Sequence, residues 1–340
     1  MLMALICCSG FNDYVQTRMN DLSLCIARVF SNSSILLKHV GRSQGIVERR
    51  KAEINPRIHW YLMESDFRIV FLGTGGGRFV TMTQKRRTAG IRIMNEGLNL
   101  HLDPGPGALV HSIEQSLNPQ LLNAILVSHC HPDHYTDAEI LIEAMTQGMT
   151  RKKGILAAPK SVLEGSDVCD ASISKYHQQM VEQRIEVAPG FRFPVHSINV
   201  STTRAKHSDP GAVGFRFMTR FGDFAYTSDS EYYVDIAKYY QGVRLLALCV
   251  MRPSGKPWEG HMATDDAIRI VDAVRPEMAI MTHLGMSMLR EGPEKEAKLI
   301  QGKTGVSTVA AVDGMTVLFG TSIRIHAGKQ QNQNDLTSFL

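Results

Sequence analysis

The stretch Ser128-His129-Cys130-His131-Pro132-Asp133-His134 places three imidazoles and a carboxylate within six residues. Neutral imidazole nitrogens and carboxylate oxygens are the donors that zinc-like divalent ions take. The stretch follows Leu121-Leu122-Asn123-Ala124-Ile125-Leu126-Val127, an apolar run that reads as a buried strand. Polar groups at such a place need partners, because burying them unpaired is costly. A capped loop with satisfied side chains is the bland alternative; a divalent metal accounts better for four ligand-type groups at His-x-His-x-Asp-His spacing.

Later in the chain, Asp229 and His283 also come directly after apolar runs, and His207 follows the more polar stretch Val200 to Lys206. Taken singly, each would read as a turn residue. If those strands run side by side, their ends converge at one rim. Seven ligand-type groups would then surround one cavity, enough for two metal ions about 3.5–4 Å apart with a carboxylate between them.

The elements that must position these groups are legible in outline. Phe67 to Leu72 reads as a buried strand, followed by Gly73-Thr74-Gly75-Gly76-Gly77. No Lys-Ser/Thr pair and no clear helix follows that turn, so a phosphate loop is disfavoured and the glycines read as points of close backbone approach. Lys85-Arg86-Arg87 reads as solvated surface. Ile91–Met94 and Leu98–Leu102 form a hairpin around Asn95-Glu96-Gly97 and end in Asp103-Pro104-Gly105-Pro106-Gly107. Helices are expected over residues 108–117, 137–147, 160–164, 172–184 and 265–274. Residues 185–200 alternate, with Pro189-Gly190 as a turn. A second hairpin pairs 214–218 with 223–227, 245–251 and 278–282 read as strands, and 309–311 with 315–319 closes the sheet around Asp313-Gly314. Strand meanders broken by two groups of helices suggest two sheets packed face to face with helices outside.

The order His-x-His-x-Asp-His, then His, Asp and His resembles the metallo-β-lactamase-fold superfamily of hydrolases over roughly residues 67–326. The resemblance implies an αββα sandwich, an α/β fold of two mixed sheets flanked by helices. It implies that His129, His131 and His207 hold one metal, that Asp133, His134 and His283 hold the other, and that Asp229 bridges them together with a hydroxide. Zinc is the expected metal, with manganese and iron compatible with the same donors. Two cations would make a hydroxide nucleophile near neutral pH, with Asp133 as general base.

Gly260-His261-Met262-Ala263-Thr264, with His261 lying 22 residues before His283, is similar to the histidine element that ribonuclease Z and related phosphodiesterases carry before their last metal histidine. That resemblance implies a contact with phosphate and help for the leaving oxygen. The bland reading is an exposed histidine before a helix capped by Thr264 or Asp265. The opening Phe71 to Gly77 also resembles ribonuclease Z. The chain departs from that pattern at Asp103-Pro104-Gly105-Pro106, where ribonuclease Z has Asp-x-Gly-Glu, and it carries no recognisable Gly/Pro-rich arm of the kind that grips tRNA. Asp103 reads as a support for a ligand histidine or as a turn residue. His101 reads as packed, Cys130 as pointing away from the metals, and His111, His177, His196 and His326 as structural.

Composition sets the outer bounds. The 340 residues are 44% hydrophobic and 21% charged, ordinary for a globular protein with a large core. A net charge of +4 permits an anionic substrate without suggesting a nucleic-acid scaffold. The six cysteines form no CxxC pair, which argues against a disulfide framework and fits a reducing cytoplasm. No apolar run approaches the roughly 20 residues needed to cross a bilayer. Residues 1–64 read as a poorly ordered or non-native extension, with Met63 a candidate true start, residues 65–328 as the hydrolase domain and 329–340 as a polar tail. The expected function is a binuclear metal-dependent phosphodiesterase acting on a nucleic-acid or small-molecule phosphodiester, with no membrane partner and a homodimer as the default assembly. The alternatives are a hydrolase of a lactone, thioester or β-lactam, and a non-hydrolytic ligand-binding or sensor protein.

Overall fold

The computed structural model describes residues 66–327. The readings made for residues 1–64, for Met63 and for the tail from 329 lie outside the described residues. The chain first lays down β1 (Phe67–Phe71), β2 (Ile91–Asn95), β3 (Leu98–Leu102), β4 (Ala124–Leu126), β5 (Ile155–Pro159) and β6 (Gln183–Val187). It then crosses to a second sheet made of β7 (Arg192–Val195), β8 (Ile198–Arg204), β9 (Val213–Thr219), β10 (Gly222–Tyr226), β11 (Val243–Arg252), β13 (Met278–Thr282) and β14 (Ser307–Ala310), with the two-residue β12 (Met262–Ala263) beside β11. Finally it returns to the first sheet as β15 (Met315–Phe319) and β16 (Ile323–His326). The sheet orders are β16-β15-β1-β2-β3-β4-β5-β6 and β14-β13-β11-β10-β9-β8-β7.

Both sheets are mixed. Hairpins make the antiparallel parts, and parallel neighbours need a crossover, which here is a helix. Ala138–Met145 carries β4 to β5, Thr264–Val274 lies between β11 and β13, and Pro293–Thr304 carries β13 to β14. The helices cover the outer faces, so most strands are buried on both sides and read as continuous apolar runs. Along β1, Phe67, Ile69 and Phe71 point between the sheets, while Val70 points into an outer core under the helices. Along β11, Leu245, Ala247 and Cys249 face inward and Leu246, Leu248 and Val250 face the helices of the other side. The inter-sheet layer is rich in phenylalanine; Phe217 and Phe224 stack with centroids 4.6 Å apart. Each such ring contributes about 1.5–3 kcal/mol by burial. The result is the αββα sandwich expected from the sequence.

Strand direction creates the rim. β1 and β2 are antiparallel, as are β2 and β3, so β1, β3 and β4 all run the same way. By the same pairing logic β8, β10, β11 and β13 run together in the second sheet. The carboxyl ends of β3, β4, β8, β10 and β13 lead to Asp103, His129–His134, His207, Asp229 and His283.

Several expectations are corrected. The run from Leu121 to Val127 is a strand only over Ala124–Leu126; Pro119–Leu121 is a 3-10 turn, because Asn118 caps it through Gln120 N. A helix, Arg78–Thr83, does follow the glycine turn. Arg87 is buried and pairs with Glu114 at 3.1 Å, so the basic triplet is not wholly solvated. The helix expected over 172–184 is confined to Lys175–Gln178, and Gln183–Val187 is an edge strand. Pro189-Gly190 is the turn expected, closed by Phe191 N donating to Ala188 O at 3.0 Å, and it lies where the chain passes from one sheet to the other. The segments either side of Asp313-Gly314 likewise belong to different sheets. The helix after β12 starts at Thr264, and Asp266 Oδ2 accepts from Ala263 N at 3.0 Å, so neither Thr264 nor Asp265 caps it.

Candidate metal centre

All seven predicted ligand residues meet at the rim. Ligand atoms of His129, His131 and His207 lie within 4.8 Å of one another, as do those of Asp133, His134 and His283. Asp229 stands between the two groups: its Oδ2 is 3.7 Å from His134 Nε2, 3.9 Å from His207 Nε2 and 3.2 Å from His283 Nε2. Two further groups cut across these, His129 with His134 and Asp229, and His207 with Asp229 and His261, whose Nδ1 lies 3.5 Å from Asp229 Oδ2.

The first-sheet side comes from one loop. After β4, Ser128 enters the rim and the short helix Pro132–Tyr135 starts with proline at its first position, where no N–H is missed. That turn sends Asp133 and His134 to the same side as His129. Asp103, at the end of β3, is the hub beneath them. It accepts from Ser128 N at 2.7 Å, Ser128 Oγ at 2.7 Å, Tyr226 OH at 2.9 Å and His134 Nδ1 at 2.8 Å. Ser128 Oγ in turn lies 3.0 Å from His129 Nδ1. Asp133 is held by Gly77 N–H, which donates to its Oδ2 at 2.9 Å.

The second-sheet side is assembled one residue per strand. His207 Nδ1 donates to Gly260 O at 2.8 Å, which fixes its tautomer and leaves Nε2 as an acceptor towards the cluster. Gly260 N donates to Glu231 Oε2 at 3.0 Å. The glycine turn after β1 closes over the same side: a Cβ on Gly76 would lie 2.2 Å from the His283 ring, and one on Gly73 would lie 2.1 Å from Ala89 N. These glycines are therefore points of close approach. Asp103, Ser228 and His283 all adopt positive φ (51°, 58° and 55°), a conformation that costs non-glycine residues about 1–2 kcal/mol and that clusters here at the rim.

The donor set fits a metal. His129 Nε2 faces His131 Nδ1 at 3.1 Å, His207 Nε2 faces the same atom at 3.0 Å, and His134 Nε2 faces His283 Nε2 at 3.2 Å. In His129, His134, His207 and His131 the other ring nitrogen is already engaged, by Ser128, Asp103, Gly260 O and Ser208, while His283 Nδ1 is buried without a partner. The facing nitrogens converge on common points, where a cation would take up their lone pairs. Asp229 Oδ1 is buried without a hydrogen-bond partner, a costly state that coordination removes. Burial, together with neighbouring imidazoles, holds His129 well below its ordinary pKa, and burial lowers His131 too, so both offer neutral rings. At His134, burial opposes the charged form, but Asp229, Asp133 and Asp103 outweigh it and raise the pKa. For Asp133 and Asp229 burial likewise favours the neutral acid, and the histidines overcome it and hold both carboxyls ionised. A region with two buried anions attracts positive charge.

Three histidines away from the cluster have other partners. His101 is fully buried, contacts Ala89 O through Nε2 at 2.8 Å and is pushed down to about 3 by burial. Cys130 packs into the outer core, away from the ligands, while its N–H donates to Asp209 Oδ2 at 2.9 Å. His111 pairs with Glu114, and His177 bridges Glu139 and Glu143. Sequence reasoning missed Ser128, Tyr226, Gly260 and Glu231 as supports. Ser128 and Gly260 adjoin a predicted site residue, which was the available signal; Tyr226 and Glu231 act across sheet and loop contacts that no local pattern shows.

The β-lactamase superfamily domain family matches residues 98–284 of this chain. An uncharacterized protein of Methanocaldococcus jannaschii is 41% identical over 251 residues, covering 73% of this chain and 94% of that protein. A ribonuclease Z of Sulfolobus acidocaldarius is 35% identical over 96 residues, which cover 28% of this chain and 32% of that enzyme. The match thus spans about a third of the length of that ribonuclease Z. Among solved structures, the metallo-β-lactamase fold protein YhfI from Bacillus subtilis superposes with a TM-score of 0.62 at 17% identity, over 77% of this chain and 100% of that one, a likeness of fold.

Proposed function

This chain belongs to the β-lactamase superfamily, and from that premise we propose that it is a binuclear metal-dependent phosphodiesterase. His129, His131 and His207 would hold one cation, Asp133, His134 and His283 the other, and Asp229 both. The cations, zinc first among the candidates, would supply water activation near neutral pH and neutralise charge on the phosphate. The chain's own residues supply position and proton handling. Asp133, ionised and fixed by Gly77 N–H, is placed to accept a proton from the attacking water. Asp103 locks His134 and, through Ser128, His129, so that neither ring rotates as charge moves.

The observation that carries the phosphodiester reading is His261. It stands at the opening of the cluster, beside Asp229, with its ring stacked on His283 at 5.9 Å and edge-on to His207 at 4.9 Å. Burial, with His283 and His207 beside it, lowers its pKa to about 4, while Asp229 pulls the other way. We assign it proton delivery to the leaving oxygen from its imidazolium form, which Asp229 favours against burial; the proton passes to the oxygen as the P–O bond breaks and the ring is left neutral. An alkoxide leaving group needs such a donor. The similarity to a ribonuclease Z over 96 residues supports the same chemical class.

The test is metal analysis joined to a substrate panel. Metal-loaded protein is expected to hydrolyse bis(p-nitrophenyl) phosphate and a dinucleoside monophosphate; His261→Ala should lower the rate on the second, whose alkoxide needs a proton, by about 10²-fold and that on the first by much less, with metal stoichiometry kept. Turnover confined to lactones, thioesters or β-lactams would replace the phosphodiester reading with the carbonyl one. No turnover of any of these would leave a ligand-binding protein.

A further inference from the structure

Next to His261 lies a loop held more firmly than its exposure warrants. Ser254 N donates to Glu296 Oε2 at 3.0 Å, and Ser254 Oγ and Gly255 N donate to the two oxygens of Asp265 at 2.8 and 2.7 Å. Lys256 is paired with Glu291. Gly260 is clamped between Glu231 and His207, as described above. On this braced loop Trp258 is 59% exposed. An indole left in water on a rigid support gives up a large burial gain, and such apolar surface marks a contact site.

The direction of the ring follows from the backbone. Trp258 and His261 form an antiparallel bridge, with His261 N donating to Trp258 O at 3.2 Å. Residues directly opposite in an antiparallel pair project to the same side. His261 projects to Asp229, so Trp258 projects beside the mouth of the metal centre. One face of the indole is already taken: the Arg252 guanidinium lies 5.4 Å from its centroid, and Arg252 Nε is fixed by Lys256 O at 3.0 Å. The ring as a whole remains more than half exposed. A flat ring, a cation behind it and a phosphodiester site beyond it are the parts of a base-stacking platform.

We propose that Trp258, backed by Arg252, stacks a nucleobase of the substrate while the adjoining phosphodiester lies at the metal centre. The proposal rests on the phosphodiesterase reading and adds its substrate class: a nucleoside phosphodiester, whether in RNA, DNA or a free nucleotide ester. Stacking reads no base edge, so the platform takes any base and selects against base-free diesters.

Two readouts test it. The first is the ratio of kcat/KM for thymidine 5′-(p-nitrophenyl phosphate) over methyl p-nitrophenyl phosphate. A stack worth about 1–3 kcal/mol makes Trp258→Leu lower that ratio by about 5–150-fold, whereas Trp258→Phe, which keeps a ring, retains most of it. The second needs no catalysis. In a Trp60→Phe background Trp258 is the remaining tryptophan, and its fluorescence is expected to be quenched saturably by adenosine 5′-monophosphate and not by ribose 5-phosphate, in metal-loaded and metal-free protein alike. If the wild type cleaves neither ester but the quench is seen, the phosphodiesterase reading fails and the base platform stands. Absence of the quench overturns the platform, and so does a ratio that Trp258→Leu leaves unmoved or that falls equally with Trp258→Phe.

Discussion

The two sides of the metal centre are built in opposite ways. On the first-sheet side, one loop of six residues delivers His129, His131, Asp133 and His134, and a single buried carboxylate, Asp103, fixes two of them. On the second-sheet side, His207, Asp229 and His283 arrive singly from three strand ends, and His207 leans on a backbone carbonyl that is itself steadied by half-buried Glu231. The first side is a local device with a shared foundation. The second is a product of register, in which each group depends on a separate strand being in place. Shared support makes one substitution costly; distributed support spreads the cost.

Asp229→Ala should have the largest effect because it removes the group that both sides share. Loss of several kcal/mol of electrostatic stabilisation corresponds to a fall on the order of 10³-fold in phosphodiester turnover, with metal stoichiometry below that of the wild type by elemental analysis. Asp103→Ala should come next. It leaves Ser128, Tyr226 and His134 without their common acceptor, and a lost support of this kind costs about 10–100-fold in metal affinity or activity. Equal effects from Asp103→Ala and Glu231→Gln would break the contrast between the two sides. Phe217→Ala, in the inter-sheet layer, should lower stability by about 3–5 kcal/mol in denaturant melts while folded protein keeps its metal, which separates fold from site. Chelation should destabilise the wild type by about 2.7 kcal/mol if the free metal was held at 100 times Kd, read as a drop in Tm. Glu231→Gln should be mildest: it weakens one partly buried hydrogen bond to Gly260 N, worth about 0.5–1.5 kcal/mol, and is read as a several-fold loss in activity.

The same contrast decides what could be seen in the sequence. His129 to His134 announced itself because its chemistry is packed into one loop. His207, Asp229 and His283 were found through their order after strands, and the parallel direction of those strands is what made that inference work. Two face-to-face sheets followed from strand meanders broken by two groups of helices, and the family resemblance implied the αββα sandwich. Elements failed where tertiary context overrides local preference. Gln183–Val187 carries only moderate strand character and is an edge strand by virtue of pairing with β5. The helix Pro293–Thr304 has a polar surface and weak amphipathic pattern, yet it buries Ala297 and Ile300 against the second sheet. The support from Tyr226 to Asp103 joins residues 123 positions apart, and no spacing rule reaches that far.

The topology also orders events in time. The chain completes β1 to β6 before it begins the second sheet, and β1 finds its other neighbour only at β15, where Phe67 pairs with Phe319. His283 is 154 residues downstream of His129. At a synthesis rate of 5–20 residues per second, the loop of histidines waits on the order of 10–30 s for its last partner to be made. During that interval three imidazoles and a carboxylate are on offer to borderline metals while the second sheet is still incomplete. The full set of seven ligand-type groups therefore exists only once the chain has passed β13.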